Sequence, residues 1–297
     1  MLYYNIILYI ILYYIVLCCI IIYNYILYII YIIMFFETEI KTINEFDEKK
    51  DKIYFITVAT KPHHVLDVLI KNTQIKGETI QVLGLTDNYY SIGQDNNDGS
   101  RKLGLKLQEL YKFINQDFLN DNDIIIFVDA YDVYYSGNKN IILEKFKEMK
   151  RPIVFGAEKC CYPDSTKSII YPKTNCCFPY LNSGLFIGKV YAFRECMNNC
   201  ENEFIDDIND QLWWTNKFLD RQDLIELDYN NQLFLNCLWL NPNDLKINED
   251  SVTFLPNNST PQFIHGNGPS KELIVPLLEY FKNKHMNNIT IKDWWNY

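Results

Sequence analysis

The chain has 297 residues, of which 48% are hydrophobic, and a formal net charge of −9. That length accommodates one large domain or two modest ones, and the acidic balance argues against a nucleic-acid polyanion as the main partner. Nine cysteines without a C-x-x-C argue against a zinc knuckle, and their odd number leaves at least one thiol in any oxidising compartment.

Residues 1–36 contain no charged side chain, no Gly and no Pro, and exceed the roughly 20 apolar residues that span a bilayer. Lacking a basic start and a small-residue cleavage site, they do not read as a removed signal peptide. The expectation is an uncleaved hydrophobic helix, a single-pass anchor in an ER/Golgi-like or virus-associated membrane. However, nine of the first 31 residues are Tyr, which favours bilayer interfaces over the hydrocarbon centre. Met34 offers a later start that would leave a soluble protein, and both readings stay open. Residues 37–51 are acidic and polar, as in a stalk, followed by a globular part over 52–285 and a tail over 286–297.

Within the globular part, IYFITVAT (53–60) and TIQVLGL (79–85) predict strands. Residues 101–119 place Leu103, Leu107, Leu110 and Phe113 at helical spacing. The stretch IIIFVDAYD (124–132) is a β-branched and aromatic run ending abruptly in acids, which predicts a buried strand delivering carboxylates to a sheet edge. A helix near 139–149 and a strand at 152–158 follow. This alternation predicts an α/β fold, Rossmann-like, with a mostly parallel central sheet and helices on its faces. The second half is less regular: a Cys-rich loop (159–180), a strand in LNSGLFIG (181–188), helices near 190–204 and 208–219, and a last strand from 261.

Open α/β sheets bind ligands beyond the carboxyl ends of their strands. Asp129 and Asp132, three residues apart across a turn, can share a hard divalent cation there; the bland alternative is bonding to turn amides. In FIHGNGPSK (263–271), His265 follows a strand and offers an imidazole ligand. Gly266 and Gly268 admit close backbone approach to an anion, and Ser270 and Lys271 offer phosphate-directed donors. Two carboxylates, an imidazole and phosphate oxygens suit Mn²⁺ better than Mg²⁺.

At these residues a family becomes visible. FVDAYDVYYSG, LNSGLFIG, DQLWWTNKFLD and IHGNGPSK, in this order, resemble the glycosyltransferase domain of the procollagen lysyl hydroxylases and the wider collagen galactosyl- and glucosyltransferases. The resemblance covers about 52–282 and implies a GT-A type fold, Mn²⁺ as cofactor, and UDP-glucose or UDP-galactose as donor. By it, Asp129, Asp132 and His265 are metal ligands. Val58, Ala59 and Thr60, with Ala130 and Tyr131, hold the uridine, and Gly268, Pro269, Ser270 and Lys271 embrace the diphosphate.

Tyr89 and Tyr162 stand where the family tends to place Trp, beside the nucleotide and the sugar pocket respectively. The family's acid-rich run is DDIND here, making Asp206, Asp207 and Asp210 candidates for sugar or acceptor contacts, with Asp210 preferred; a solvated helix start is the plain alternative. Lys102 is a candidate for the donor phosphates, and Asn182 and Ser183 for the acceptor side. Trp213–Trp214 and Trp294–Trp295 read as packing residues first and sugar platforms second, and His63 and His64 as loop residues.

The expected function is transfer of glucose or galactose to an acceptor hydroxyl, with hydroxylysine or galactosylhydroxylysine of a collagen-like protein suggested by the resemblance. Two alternatives stay open: a catalytically silent UDP-sugar-binding or scaffold domain, and a transferase acting on a glycan or lipid. Hydroxylation is not expected, because the chain offers no room for the iron and 2-oxoglutarate domain of the hydroxylases.

Overall fold

The computed structural model describes residues 51–85, 102–249 and 251–286, together with three helical N-terminal positions, Ile26, Tyr28 and Ile29. The expected anchor (those three positions apart), the stalk up to residue 50, Tyr89 and the tail from 287, with Trp294–Trp295, lie outside the described residues. Among the described residues no helix is long and apolar enough to cross a membrane. From Asp51 onward the chain forms one compact unit.

Its first half runs β1 (Ile53–Val58), α1 (His64–Ile75), β2 (Ile80–Leu83), α2 (Gly104–Ile114) and β3 (Ile124–Val128). The sequence predicts all of these but α1: His64, read there as a loop residue, opens this helix, and His63 caps it by accepting from the Val65 amide at 3.2 Å. Then come a short β4 (Val133–Tyr135), α3 (Lys139–Glu148) and β5 (Ile153–Glu158). The second half holds β6 (Tyr180–Lys189), α4 (Val190–Met197), α5 (Asp210–Asp220), β7 (Ile225–Asp228), β8 (Phe234–Asn236), the β9–β10 hairpin (Leu245–Asn248, Ser251–Phe254), β11 (Phe263–His265) and α6 (Val275–His285).

Six strands form the central sheet in the order β2-β1-β3-β6-β5-β7. The sheet is mostly parallel, and β6 alone runs against both neighbours. All five residues of β3 are buried, as befits an apolar strand covered on both faces. Phe127 stacks on Phe186 with centroids 4.6 Å apart, and Trp214 packs against Phe155 at 5.0 Å. Burying each such side chain contributes about 1.5–3 kcal/mol. Both Trp213 and Trp214 are therefore core residues, and the Trp213 indole donates to Glu203.

A second, three-stranded sheet, β4-β11-β8, makes the site possible. The chain leaves β3 at Val128, turns through Asp129–Asp132, and returns as β4, which pairs antiparallel with β11 so that His265 faces Val133. The expected acid-tipped strand is β3 with its turn, and β4 beyond that turn is an addition to the expectation. A register shift between Phe155 and Gly156 brings Asn182 opposite Gly156, at the end of β5 that carries Glu158. The strands β7 to β10 were not anticipated: at three or four residues each they are too short to show a period. The helix expected over 190–204 stops at Met197, and only a single 3-10 turn, Glu201–Glu203, follows.

Candidate functional site

A cleft of about 650 Å³ opens where β1 and β3 end, walled by the β6 and α5 starts and by the loop after β11. Asp129, Asp132 and His265 meet at its floor, each offering a ligand atom within 4.8 Å of the others. His265 Nε2 lies 3.2 Å from Asp132 Oδ1 and 3.7 Å from Asp129 Oδ2. The backbone fixes this meeting: the Asp129 amide donates to Gly184 O at 2.8 Å, and the Gly266 amide to Asp132 O at 2.8 Å. Gly184 must be glycine here, because a Cβ would collide with the His265 ring and stand 2.8 Å from Asp129 Oδ2.

The donor set fits a divalent cation. Asn236 Oδ1 sits 2.8 Å from His265 Nδ1, which steers Nε2 toward the two carboxylates. A ring nitrogen held from behind in this way is the usual support of an imidazole ligand. Asn236 is fixed in turn by donating to Ala157 O at 3.0 Å. Burial opposes ionisation of Asp132, but His265, Lys271 and Lys106 outweigh it and hold its carboxyl well below the usual range. Burial likewise draws the His265 pKa down, while Asp132 and Asp129 prevail and raise it.

Two lysines complete the charged floor. Lys271 Nζ lies 3.6 Å from Asp132 Oδ2. Lys106, from α2, reaches 2.7 Å from Asp129 Oδ1 and 3.4 Å from Asp210 Oδ2. Burial disfavours its charge, yet the Asp129 and Asp210 carboxylates outweigh that and raise its pKa. Asp210 is positioned by helix geometry: Asn209 caps α5 by accepting from the Leu212 amide, and the next residue turns inward. There it accepts from Ser183 Oγ at 2.8 Å.

Beyond Asp210 the wall becomes a net of amides around one acid. Glu158 accepts from Gln211 Nε2 at 2.6 Å and from Asn267 Nδ2 at 2.8 Å. Gln211 also accepts from Asn182 Nδ2 at 3.3 Å. Burial pushes the Glu158 carboxyl up to about 7 despite these bonds. On the β1 side, Tyr131 Oη accepts from the amides of Thr60 and Lys61 at 2.9 and 3.1 Å, closing the floor that Val58 and Ala130 also line.

The cleft lining thus includes the sequence candidates Asp129, Asp132, His265, Val58, Ala130, Tyr131, Asn182, Asp210, Gly268, Pro269 and Lys271. Ala59, Thr60, Lys102, Asp207 and Ser270 stand outside it. Thr60 serves through its amide on Tyr131. Lys102 precedes α2 and pairs with Asp206 and Asp207, 3.6 and 3.8 Å away, so the lysine this segment sends into the site is Lys106, one helical turn on. Asp207 lies on the exposed approach to α5, where only Asp210 turns in. Tyr162, on the rim, gives its carbonyl to Gln211 Nε2.

Sequence reasoning overlooked Lys106, Glu158, Gln211, Asn236 and Asn267. Lys106 gave one signal, a charge on the stripe of Leu103, Leu110 and Phe113 that α2 turns toward the protein. Glu158 gave another, an acid closing the apolar strand IVFGAE. The seven cysteines from Cys160, which lines the cleft, to Cys237 are all free thiols.

The comparisons agree with this geometry. The family described as PLOD GT domain matches residues 49–291. A procollagen-lysine,2-oxoglutarate 5-dioxygenase of Drosophila melanogaster is 34% identical over 236 residues, 74% of this chain and 31% of that protein. A multifunctional procollagen lysine hydroxylase and glycosyltransferase of Caenorhabditis elegans is 32% identical over 247 residues, 78% of this chain and 33% of that protein. An uncharacterized protein of Acanthamoeba polyphaga mimivirus is 33% identical over 180 residues, 60% of this chain and 38% of that protein. The chain therefore spans about a third of the length of these curated relatives. With the match running through the whole cleft, the chain belongs to the PLOD GT domain family, a family of glycosyltransferase domains.

Proposed function

We propose that this chain is a Mn²⁺-dependent glycosyltransferase that moves glucose or galactose from a UDP-sugar to an acceptor hydroxyl. The acceptor is hydroxylysine or galactosylhydroxylysine in a collagen-like protein, and residues 1–36 anchor the domain to a membrane. The observation that carries the reading is the convergence of Asp129, Asp132 and His265 beside Lys271, at strand ends where an open sheet takes nucleotides.

In this reading Asp129, Asp132 and the His265 Nε2 hold the cation, which supplies Lewis acidity toward the diphosphate oxygens when bound. Lys271 meets the charge left on UDP as the sugar departs, and Gly268 and Pro269 give the diphosphate a close backbone surface. Tyr131, Val58 and Ala130 form the floor for the uracil ring. Lys106 bridges Asp129 and Asp210, and Asp210, aligned by Ser183, orients the sugar or receives the acceptor proton.

The test is UDP release by the full chain from UDP-glucose and UDP-galactose, with Mn²⁺ or EDTA, with and without a galactosylhydroxylysine peptide. Metal-dependent release that the peptide stimulates supports the reading. Nucleotide binding without turnover in any mixture would point instead to a silent binding domain. Resistance of the expressed chain to alkaline extraction from membranes tests the anchor.

A further inference from the structure

The cleft rim carries a residue that local stability does not favour. Cys237–Leu240 is a tight turn, closed by the Leu240 amide donating to Cys237 O at 3.0 Å. Its third residue, Trp239, has φ of 58°, a backbone region that turns normally fill with Gly or Asn. The same indole is 64% exposed while lining the cleft. A bulky aromatic in left-handed backbone, held out toward solvent at a site, loses twice as structure: it adopts a disfavoured conformation and buries little.

Three contacts hold the turn in register with the site. Lys159 Nζ, one residue beyond Glu158, donates to Trp239 O at 3.2 Å. The Leu238 amide donates to Asn267 Oδ1 at 2.9 Å. The same Asn267 donates to Glu158 at 2.8 Å. Trp239 therefore rides on the loop that leads to Gly268 and Lys271 and on the acid at the end of β5. Backbone strain kept at a site in this way marks a positioned residue.

We propose that Trp239 is a specificity-determining residue whose indole face is the platform for the pyranose ring of a sugar-bearing acceptor. The inference rests on the glycosyltransferase reading of the cleft. Exposure distinguishes acceptor from donor. Glu158 and Asp210 are 1% and 4% exposed, as suits groups around a donor kept from water, whereas Trp239 and Tyr162, at 64% and 46%, form an aromatic rim. A macromolecular acceptor reaches the reaction from outside and contacts the rim. One face of a pyranose presents C–H groups, which a flat indole covers well, at little rotamer cost.

The experiment compares wild type with Trp239→Ala, Trp239→Phe and Trp239→Gly in the full chain, using UDP-glucose, UDP-galactose and a galactosylhydroxylysine peptide. Trp239→Ala raises the acceptor KM about tenfold, while the donor KM moves less than about twofold. Trp239→Phe recovers most of the acceptor KM. Trp239→Gly loses the acceptor as Ala does, yet melts at the wild-type temperature or about 2–4 °C above it, because glycine suits positive φ. An unchanged acceptor KM in Trp239→Ala overturns the assignment, as does an equal rise in both KM values. So does a lower melting temperature in Trp239→Gly accompanied by loss of both substrates, which marks a packing residue. Wild type without metal-dependent turnover removes the transferase reading and this assignment together; wild-type turnover with an indifferent Trp239→Ala removes only the latter.

Discussion

Asp129, Asp132 and His265 hang from strand ends and meet Lys106 and Lys271 through ion pairs, whereas across the cleft Glu158, Gln211, Asn182 and Asn267 share hydrogen bonds of amides. The first side balances charges on mostly buried side chains, so its order depends on every partner being present. The second side fixes positions through short, directional bonds around a single acid whose charge is suppressed by burial. Charge is thus concentrated where a diphosphate leaving group and its cation would sit, and geometry where a neutral sugar would. Each side can be broken separately.

The largest effect is expected at Lys106. Lys106→Met removes the only described cation bridging Asp129 and Asp210 and leaves two carboxylates crowded together. Breaking a buried pair on one side costs about 3–5 kcal/mol. Urea denaturation measures this, and Mn²⁺ should restore part of the loss, since a bound cation stabilises the folded state by mass action. A variant as stable as wild type would show that the charged side is not held by its ion pairs. Asp132→Asn comes next: it keeps the shape but removes a ligand charge and the partner of His265 and Lys271. UDP release is expected to fall about a hundred- to a thousandfold, with Mn²⁺ binding by calorimetry lost in parallel.

On the amide side the sharpest probe is pH. The Glu158 carboxyl rises from 4.5 to about 7 on folding. Because the folded pKa is the higher one, the proton-linked stability is complete below about pH 4.5 and is lost as pH climbs through about 7. That displacement corresponds to about 3 kcal/mol. Glu158→Gln cannot titrate, so the stability of wild type relative to this variant should decline by about that much between pH 4.5 and pH 8, read as urea midpoints. A constant difference across that range would mean that the acid is charged in the fold and that the amides act as its counter-dipoles.

The charged side was largely legible in the sequence and the amide side was not. Asp129, Asp132 and His265 stand out because acids and a histidine at the ends of apolar runs contribute little to packing, and the strands carrying them have clear periods. Lys106 is hidden inside an ordinary amphipathic helix, and Lys102, which is nearer the loop, draws attention instead. The amide net depends on a shift of register in β5–β6 and on β8, a strand of three residues. Asn236 and Asn267 are brought together with Glu158 only by that three-dimensional accident of pairing, and no local pattern encodes it. Trp213–Trp214 is the opposite case: conspicuous in the sequence and read there as packing before platform, it is core.

The smallest expected effect decides where the two sides join. Ser183 Oγ donates to Asp210 Oδ2 at 2.8 Å, and the same oxygen lies 3.4 Å from Lys106 Nζ. Ser183 belongs to β6 and Lys106 to α2, so Asp210 is gripped from both sides of the cleft. Ser183→Ala removes one neutral hydrogen bond to a charged acceptor, a loss of about 1.5–3 kcal/mol if nothing compensates. Lys106 does remain to compensate, so the stability loss should fall near about 1 kcal/mol. The stability loss in the double variant Ser183→Ala, Lys106→Met should then exceed the sum of the single losses, because Asp210 would lose both partners. Strict additivity in that cycle would mean that Asp210 belongs to one side alone and that the cleft is two independent sites sharing a wall.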